Sequence, residues 1–465
     1  MSAHRTLLAG CLIFALGCSS LAAAETTAQA MPEYMAMLRQ AIAFQTVEGK
    51  DQVPAFANYL AGKLESAGFP KSDITIIPVE HTAALVVHYR GSDKNLKPIL
   101  LSAHMDVVAA NADGWTDHDP FKLVKDGPYY YGRGVADMKD NTVALTETFM
   151  RLKREHFVPK REMILVFSGD EETDMASTRE LARRHHDAEF LLNADAGGGV
   201  YDADLKPVMF KVQAAEKTYA DFLLTATSVG GHSSEPRPDN AIYTLAKALG
   251  GVAAYQFPVQ YNNITLASFK AMGEHGTGKL AAAARAFAAN PHDAAAIATI
   301  SADPAFVGQI RTTCVATMLS GGHALNALPE RATANVNCRI FPGVSIASVQ
   351  AALAKAIANP RVTITVRQPP PVESPASPLR KDVMDAVAAA VHERFPGIEI
   401  VPAMSSGATD SMYFRNRGVP SYGVSPDFAQ PGGEHAHGYN ERTLATELPA
   451  GLDYWHSLLK KLSSE

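Results

Sequence analysis

The stretch LLSAHMDVV, Leu100–Val108, is apolar until His104 and Asp106 interrupt it. Residues two apart on a strand share a face, so this imidazole and carboxylate would project together from the strand's carboxyl end. That arrangement suits a metal ligand and a carboxylate that orients it. Read alone, the pair is equally a buried histidine hydrogen-bonded to a nearby aspartate. Four further stretches share its character, with acidic or histidine residues directly after an apolar run or in a Gly-rich turn. They are GRGVADMKD with Asp137, FSGDEE with Glu171 and Glu172, LLNADAGGG with Asp195, and EHAHGYNER with His435 and His437. Each has a bland counterpart: a turn acid, an exposed acidic pair, a strand cap, a surface histidine pair. Five such stretches at strand ends point to one shared centre.

Two histidines and three carboxylates without a thiolate suit a pair of zinc ions bridged by one carboxylate. A pair of metals leaves a water between them as nucleophile. One acid must then stay unligated to take that water's proton. Neighbours at a strand end point different ways, so Glu171 and Glu172 can divide the roles of base and ligand.

The elements that must position these residues alternate along the chain. From Met31 to about Gln213, helical periodicity over Val53–Ala67 and Asn141–Lys153 alternates with the strand-like runs ITIIPV, ALVVHY, PILLSA, MILVFS and EFLLNA. This predicts an α/β sandwich around a largely parallel sheet, with chemistry at the carboxyl ends of the strands. Near Lys217 the texture changes. YADFLLTATSV, Thr313–Leu319, Ala332–Ile340 and Val362–Val366 alternate like half-exposed antiparallel strands, and the Ala-rich GKLAAAARAFAANPHDAAAIATI reads as one or two helices with a Pro-marked break. The Pro-rich run RQPPPVESPASP returns the chain to amphipathic helices in VMDAVAAAVHERF and LPAGLDYWHSLLKKL. The expected division is a discontinuous catalytic domain, 31–214 and 369–465, with an inserted α+β domain at 215–368.

At 465 residues, two domains are the default expectation. A composition of 47% hydrophobic and 19% charged residues is that of an ordinary globular protein. A net charge of −6 offers no basic field for phosphates, so nucleic acid is not an expected partner. Residues 1–24 carry Arg5, an apolar core and the run Ala22-Ala23-Ala24. They read as a secretory signal peptide, too short to span a bilayer, and imply a periplasmic or secreted protein. The alternative is ALGC, ending at Cys18, which weakly resembles a lipoprotein cleavage box and would leave the protein lipid-anchored to a membrane. Beyond the leader stand Cys314 and Cys338, about equally far from Asn326 in two strand-like runs. They are either a disulfide across a hairpin or two buried thiols.

Taken in order, H-M-D, G-R-G-x-x-D-M-K, D-E-E, the later Asp and the terminal H-x-x-N-E resemble the dinuclear-zinc metallopeptidase family. That family includes aminoacylase, carboxypeptidase G, carboxypeptidase S, acetylornithine deacetylase and succinyl-diaminopimelate desuccinylase. The resemblance covers essentially the whole chain after the leader and implies an α/β/α catalytic domain with an inserted α+β lid of the dimerisation type. It implies that His104 and Asp195 bind one zinc, Glu172 and His437 the other, and that Asp137 bridges them. Asp106 would orient His104, and Glu171 would be the general base. GGHSSEPRPDNA resembles the lid motif whose histidine, here His232, stabilises the oxyanion, in dimeric members from the partner subunit. GGHALNALPERATANVNCR resembles the lid segment whose Asn326 and Arg339 hold the substrate carboxylate. SSGATDS stands in the place of a Gly-rich substrate loop, with Gly407 and Thr409 as its candidates. Two departures are Asp140, where many relatives have Gly, and the Ala-rich segment, which lengthens the lid and bears on the homodimer implied through it.

The expected activity is a hydrolase with two zinc ions, for which cobalt or manganese could substitute. It would cleave an amide next to a free carboxylate in a small peptide or N-acyl amino acid. The alternatives are an aminopeptidase or dipeptidase on the same site and a non-catalytic periplasmic metal- or peptide-binding protein. Pure binding requires neither Glu171 nor His232.

Overall fold

The computed structural model describes residues 25–115 and 118–464. The leader and Cys18 therefore lie outside the described residues. Alternation within the buried strands builds the first layer. Leu101, Leu165 and Leu192 pack on one side of a ten-stranded sheet with Tyr34, Phe149 and Trp455. Leu100, Ile164 and Leu191 pack on the other with Leu181 and Phe414. Period-two burial on both faces makes an α/β/α sandwich, because each face needs its own helices.

The sheet is mixed, with a parallel centre. Ile99–His104 lies between Met163–Ser168 and Phe190–Asn193, parallel to both, and Ser421–Gly423 continues the parallel set. The flanking pairs are largely antiparallel, as between Ile74–Val79 and Thr82–Tyr89. The carboxyl ends of the central strands therefore open on one edge, and they end at His104, Ser168 and Asn193.

A second, four-stranded antiparallel sheet lies within 218–366 and runs in the order Thr313–Gly321, Arg331–Ile340, Thr218–Thr227, Val362–Val366. Phe222, Leu224, Val336 and Ile340 face the helices Ala241–Ala254 and Ile346–Ile357 and form a core of their own. The alternate residues, among them Tyr219, Asp221 and Arg339, face away from that core. Asn240 caps the first of these helices by accepting the N–H groups of Ile242 and Tyr243. Cys314 and Cys338 stand opposite each other in this sheet and are joined by a disulfide.

The Ala-rich segment forms two helices, Gly278–Ala289 and Ala294–Ser301, with Asp293 capping the second. A preceding helix, Asn263–His275, packs along the strand Glu399–Ser405 of the large sheet, where Ala271 meets Met209 and Val401. His275 adds an ion pair to Glu399 at 2.7 Å. The segment thus braces the inserted layer against the catalytic one. Between the two layers Lys217 is fully buried, its ammonium donating to the Arg311 carbonyl at 2.8 Å. No described helix is long and apolar enough to cross a membrane.

Candidate metal centre and active site

His104 ends its strand with Nδ1 3.0 Å from the backbone carbonyl of Asp106. A carbonyl only accepts, so Nδ1 carries a proton and Nε2 is the nitrogen that would face a metal. The Asp106 carboxylate lies 3.6 Å from the same ring nitrogen and has further partners. Its two oxygens accept the backbone N–H groups of Glu171 at 3.1 Å and Glu172 at 3.0 Å. Asp106 thus stands against His104 with both its carbonyl and its carboxylate, and the carboxylate also shapes the loop that carries the two glutamates.

Asp137 stands between the two histidines. Its Oδ1 is 3.0 Å from His104 Nε2 and its Oδ2 is 2.9 Å from His437 Nε2. Asp195 lies 3.7 Å from His104, and Glu172 lies 3.1 Å from His437. Candidate ligand atoms fall into one group of His104, Asp137 and Asp195, a second of Asp137, Glu172 and His437, and a third of His104, Glu171 and Glu172; within each they lie no more than 4.8 Å apart, and the first two share Asp137 and together hold all five expected ligands. His435 is not among them, because its ring turns toward the Tyr439 carbonyl at 3.2 Å.

The loop carrying Asp137 is held from far along the chain. Glu441, fully buried, accepts the N–H groups of Gly134, Ala136 and Asp137 at 2.9, 3.0 and 3.1 Å, while its other oxygen pairs with Arg133. Gly134 sits at φ 87°, and a Cβ there would stand 2.8 Å from Val107. Lys139, also buried, donates to the carbonyls of Ala41 and Phe44 at 2.9 and 2.7 Å, which ties the loop to the end of the first helix. The part played by Glu441 was missed from sequence, although it closes the H-x-x-N-E register that marks His437.

The electrostatics are those of crowded carboxylates. Burial, with the charge of Asp195 beside it, pushes Glu171 well above the ordinary carboxylate range. Burial raises Asp195 to about 6 against the pull of His104. Burial also acts on Asp137, but the hydrogen bonds from His104 and His437 outweigh it and hold the group low. His437, bonded to Asp137 and Glu172, is raised to about 10. Two imidazoles and three carboxylates in two groups sharing one carboxylate fit a pair of divalent cations, which would relieve this crowding.

A cleft of about 630 Å³ opens beside the centre, lined by Glu171, Glu172 and His437 on one side and by Tyr219, Arg339 and Arg367 of the inserted layer on another. Gly407 also lines it. Thr409 is not among the residues lining it. It is buried, and its N–H and hydroxyl both donate to Glu216, at 2.9 and 3.0 Å. His232 and Asn326 are exposed and sit together on a ribbon pairing Gly231–His232 with Ala327–Leu328, and the Asn326 carbonyl accepts the Ser233 N–H. In the single chain neither is among the residues lining the cleft.

An α/β/α sandwich with an inserted α+β layer and a two-group histidine–carboxylate centre defines a dinuclear metallohydrolase. The sequence profile of peptidase family M20/M25/M40 matches residues 100–461, and the chain belongs to that family. It is similar to the probable carboxypeptidase S-like 2 of Dictyostelium discoideum, 28% identical over 81% of this chain and 74% of that protein. The human N-fatty-acyl-amino acid synthase/hydrolase PM20D1 is 25% identical over 90% of this chain and 88% of its own. Among solved structures, the M20 family metallo-carboxypeptidase Sso-CP2 of Sulfolobus solfataricus shares the fold with a TM-score of 0.69 at 16% identity, covering 93% of this chain and 99% of that one.

Proposed function

We propose that this chain is an exported zinc enzyme that hydrolyses the amide bond next to a free carboxylate, releasing an amino acid from an N-acyl amino acid or a short peptide. Arg339 carries this reading. Its guanidinium stacks on Tyr219 at 4.5 Å, burial pushes its pKa down, and no described carboxylate forms an ion pair with it. Asp221, which acts on it through space, has its own carboxylate taken by Asn335 and Asn337 at 2.7 and 3.0 Å. An unpaired, half-buried cation facing a hydrolytic centre suits a substrate carboxylate, which it can grip through two parallel hydrogen bonds.

His104 and Asp195 would hold one zinc, Glu172 and His437 the other, with Asp137 shared; cobalt or manganese are expected substitutes. When bound, the pair supplies an acidified water and polarisation of the scissile carbonyl. Glu171 takes the proton of the attacking water and delivers it to the leaving amine nitrogen, a role its burial suits by raising its proton affinity. Arg339 holds the carboxylate of the departing amino acid.

His232 is supplied by a second copy of the chain. The strand Thr313–Gly321 is an outer strand of its sheet and exposes Val315, Met318 and Leu319, a face that supports pairing of two lids. The separate apolar core within 218–366 supports a lid at 215–368 and a catalytic domain at 31–214 and 369–465. Export through the leader at 1–24 is supported by the disulfide, a bond typical of oxidising compartments. Anchoring at Cys18 remains the alternative form of export. The names of the Dictyostelium and human relatives support peptide and N-acyl amino acid substrates respectively.

The test is a panel of N-acyl amino acids, dipeptides, their carboxyl-terminal amides and amino-terminal chromogenic substrates, assayed with zinc and with a chelator. Chelator-sensitive hydrolysis of the free acids and not the amides is expected. Activity confined to substrates with a free amine would replace this reading with an aminopeptidase or dipeptidase. No turnover with bound metal would leave a binding protein.

A further inference from the structure

Met175 has φ 50° and ψ 32°, the left-handed region that residues with a Cβ avoid and glycine enters freely. It stands three residues after Glu172, where the loop turns into the helix Ala176–Arg184. Asp170 makes that turn. Its carbonyl accepts the Met175 N–H at 2.9 Å, and its carboxylate accepts those of Ala176 and Ser177 at 2.7 and 3.0 Å. The Met175 side chain contributes nothing to this bonding, so glycine would serve the turn better. A side chain kept at a position that opposes it needs a reason beyond the turn.

The side chain lines the cleft beside Glu171 and Glu172, and Met412 and Tyr413 line the same cleft. The guanidinium of Arg179 lies over the Tyr413 ring at 5.9 Å and braces it. Arg339 and Arg367 line the cleft from the inserted layer, so it offers cations from one wall and two thioethers and a ring from another. Thioethers deform to fit apolar groups of varied shape. At about 630 Å³ the cleft lies within the ~300–1,000 Å³ that enclose a drug-sized ligand. An amino acid at Arg339 leaves room for a large group.

We propose that Met175, Met412 and Tyr413 form an apolar subsite that selects substrates carrying a large aliphatic or aromatic group, with Met175 as its specificity-determining residue. The proposal rests on the amide-hydrolase reading above. The group comes either from the acyl chain or from the side chain of the released amino acid, and two substrate series separate these sources. One lengthens the acyl chain on glycine from acetyl to decanoyl. The other keeps the acetyl group and changes the amino acid from glycine to leucine to phenylalanine.

In the zinc-loaded wild type, kcat/KM should rise along one of the series, and that series names the source. Met175→Gly should fold with an unchanged or higher Tm and lower the large-to-small kcat/KM ratio at least about tenfold. Met175→Leu should keep the ratio within about threefold of wild type, because it restores an apolar side chain of similar size. A wild type that hydrolyses N-acetylglycine without preferring larger substrates overturns the subsite alone. So does a Met175→Gly variant that loses activity equally on all substrates or keeps the ratio. A zinc-loaded wild type that hydrolyses no member of either series overturns the subsite, and one that also releases no amino acid from short peptides overturns the hydrolase reading beneath it.

Discussion

The carboxylate of Glu441 accepts the backbone N–H of Asp137 at 3.1 Å across 304 residues of chain. The same oxygen takes the N–H groups of Gly134 and Ala136, so the carboxylate common to both ligand groups is aimed by a residue that touches neither. Glu441→Gln should weaken zinc binding about 10- to 100-fold, because groups behind the ligands fix their orientation. Titration against zinc buffers measures this. Unchanged affinity would show that the 134–137 loop holds itself.

Glu171→Gln should keep its full metal content and lose at least about a hundredfold in turnover, because it removes a proton acceptor and not a ligand. Glu172→Gln should lose metal, since Glu172 is 3.1 Å from His437 in the second ligand group. Elemental analysis of both variants beside wild type, where about two ions per chain are expected, decides the division. Equal metal loss from both would refute it.

Arg339→Met removes a guanidinium of the cleft that forms no ion pair with a described carboxylate, while keeping an apolar stem against Tyr219. KM for free-acid substrates should rise by a factor equivalent to about 1.5–3 kcal/mol of charged hydrogen bonding. The matching amides, already poor substrates, should change little. Equal handling of free acids by variant and wild type would favour a site that reads a free amine.

Burial lowers the Lys217 ammonium to about 7, with Arg339 adding to the effect. Its ordinary value is near 10.4, so between pH 7 and about 10 the unfolded chain binds the extra proton and stability rises with pH. Below pH 7 both states are protonated and the penalty is complete. Lys217→Met should flatten this rise. Tm measured at pH 7 and 9.5 for both proteins tests it, and parallel curves would show that Lys217 does not titrate in this window.

Much of the centre was legible in the sequence because its residues follow directly on short, largely apolar strands that are buried throughout. His104 ends ILLSAH, Glu171 and Glu172 follow MILVFS, and Asp195 follows FLLN, so strand ends and chemistry coincide in one register. The roles of polar groups were less legible, because they depend on partners distant in the chain. Nothing local shows that the Asp106 carboxylate beside His104 also accepts the backbone N–H groups of Glu171 and Glu172, 65 and 66 positions away. The same holds for Thr409, whose two donors go to Glu216, 193 positions away. The sheet's parallel centre follows from βα alternation, whereas its antiparallel flanks depend on which edges the returning chain chooses.

The helix Asn263–His275 rests on the strand Glu399–Ser405, and a little farther along the insertion Gln309 donates to the Ser406 hydroxyl at 3.0 Å, next to Gly407. Any movement of the inserted layer against the large sheet must slide that helix over the strand Glu399–Ser405 and drag the loop that lines the cleft. Lid travel and cleft shape are therefore one coordinate. The contacts that would resist movement of the inserted layer are thus the same ones that hold the 406–407 loop beside the cleft in place.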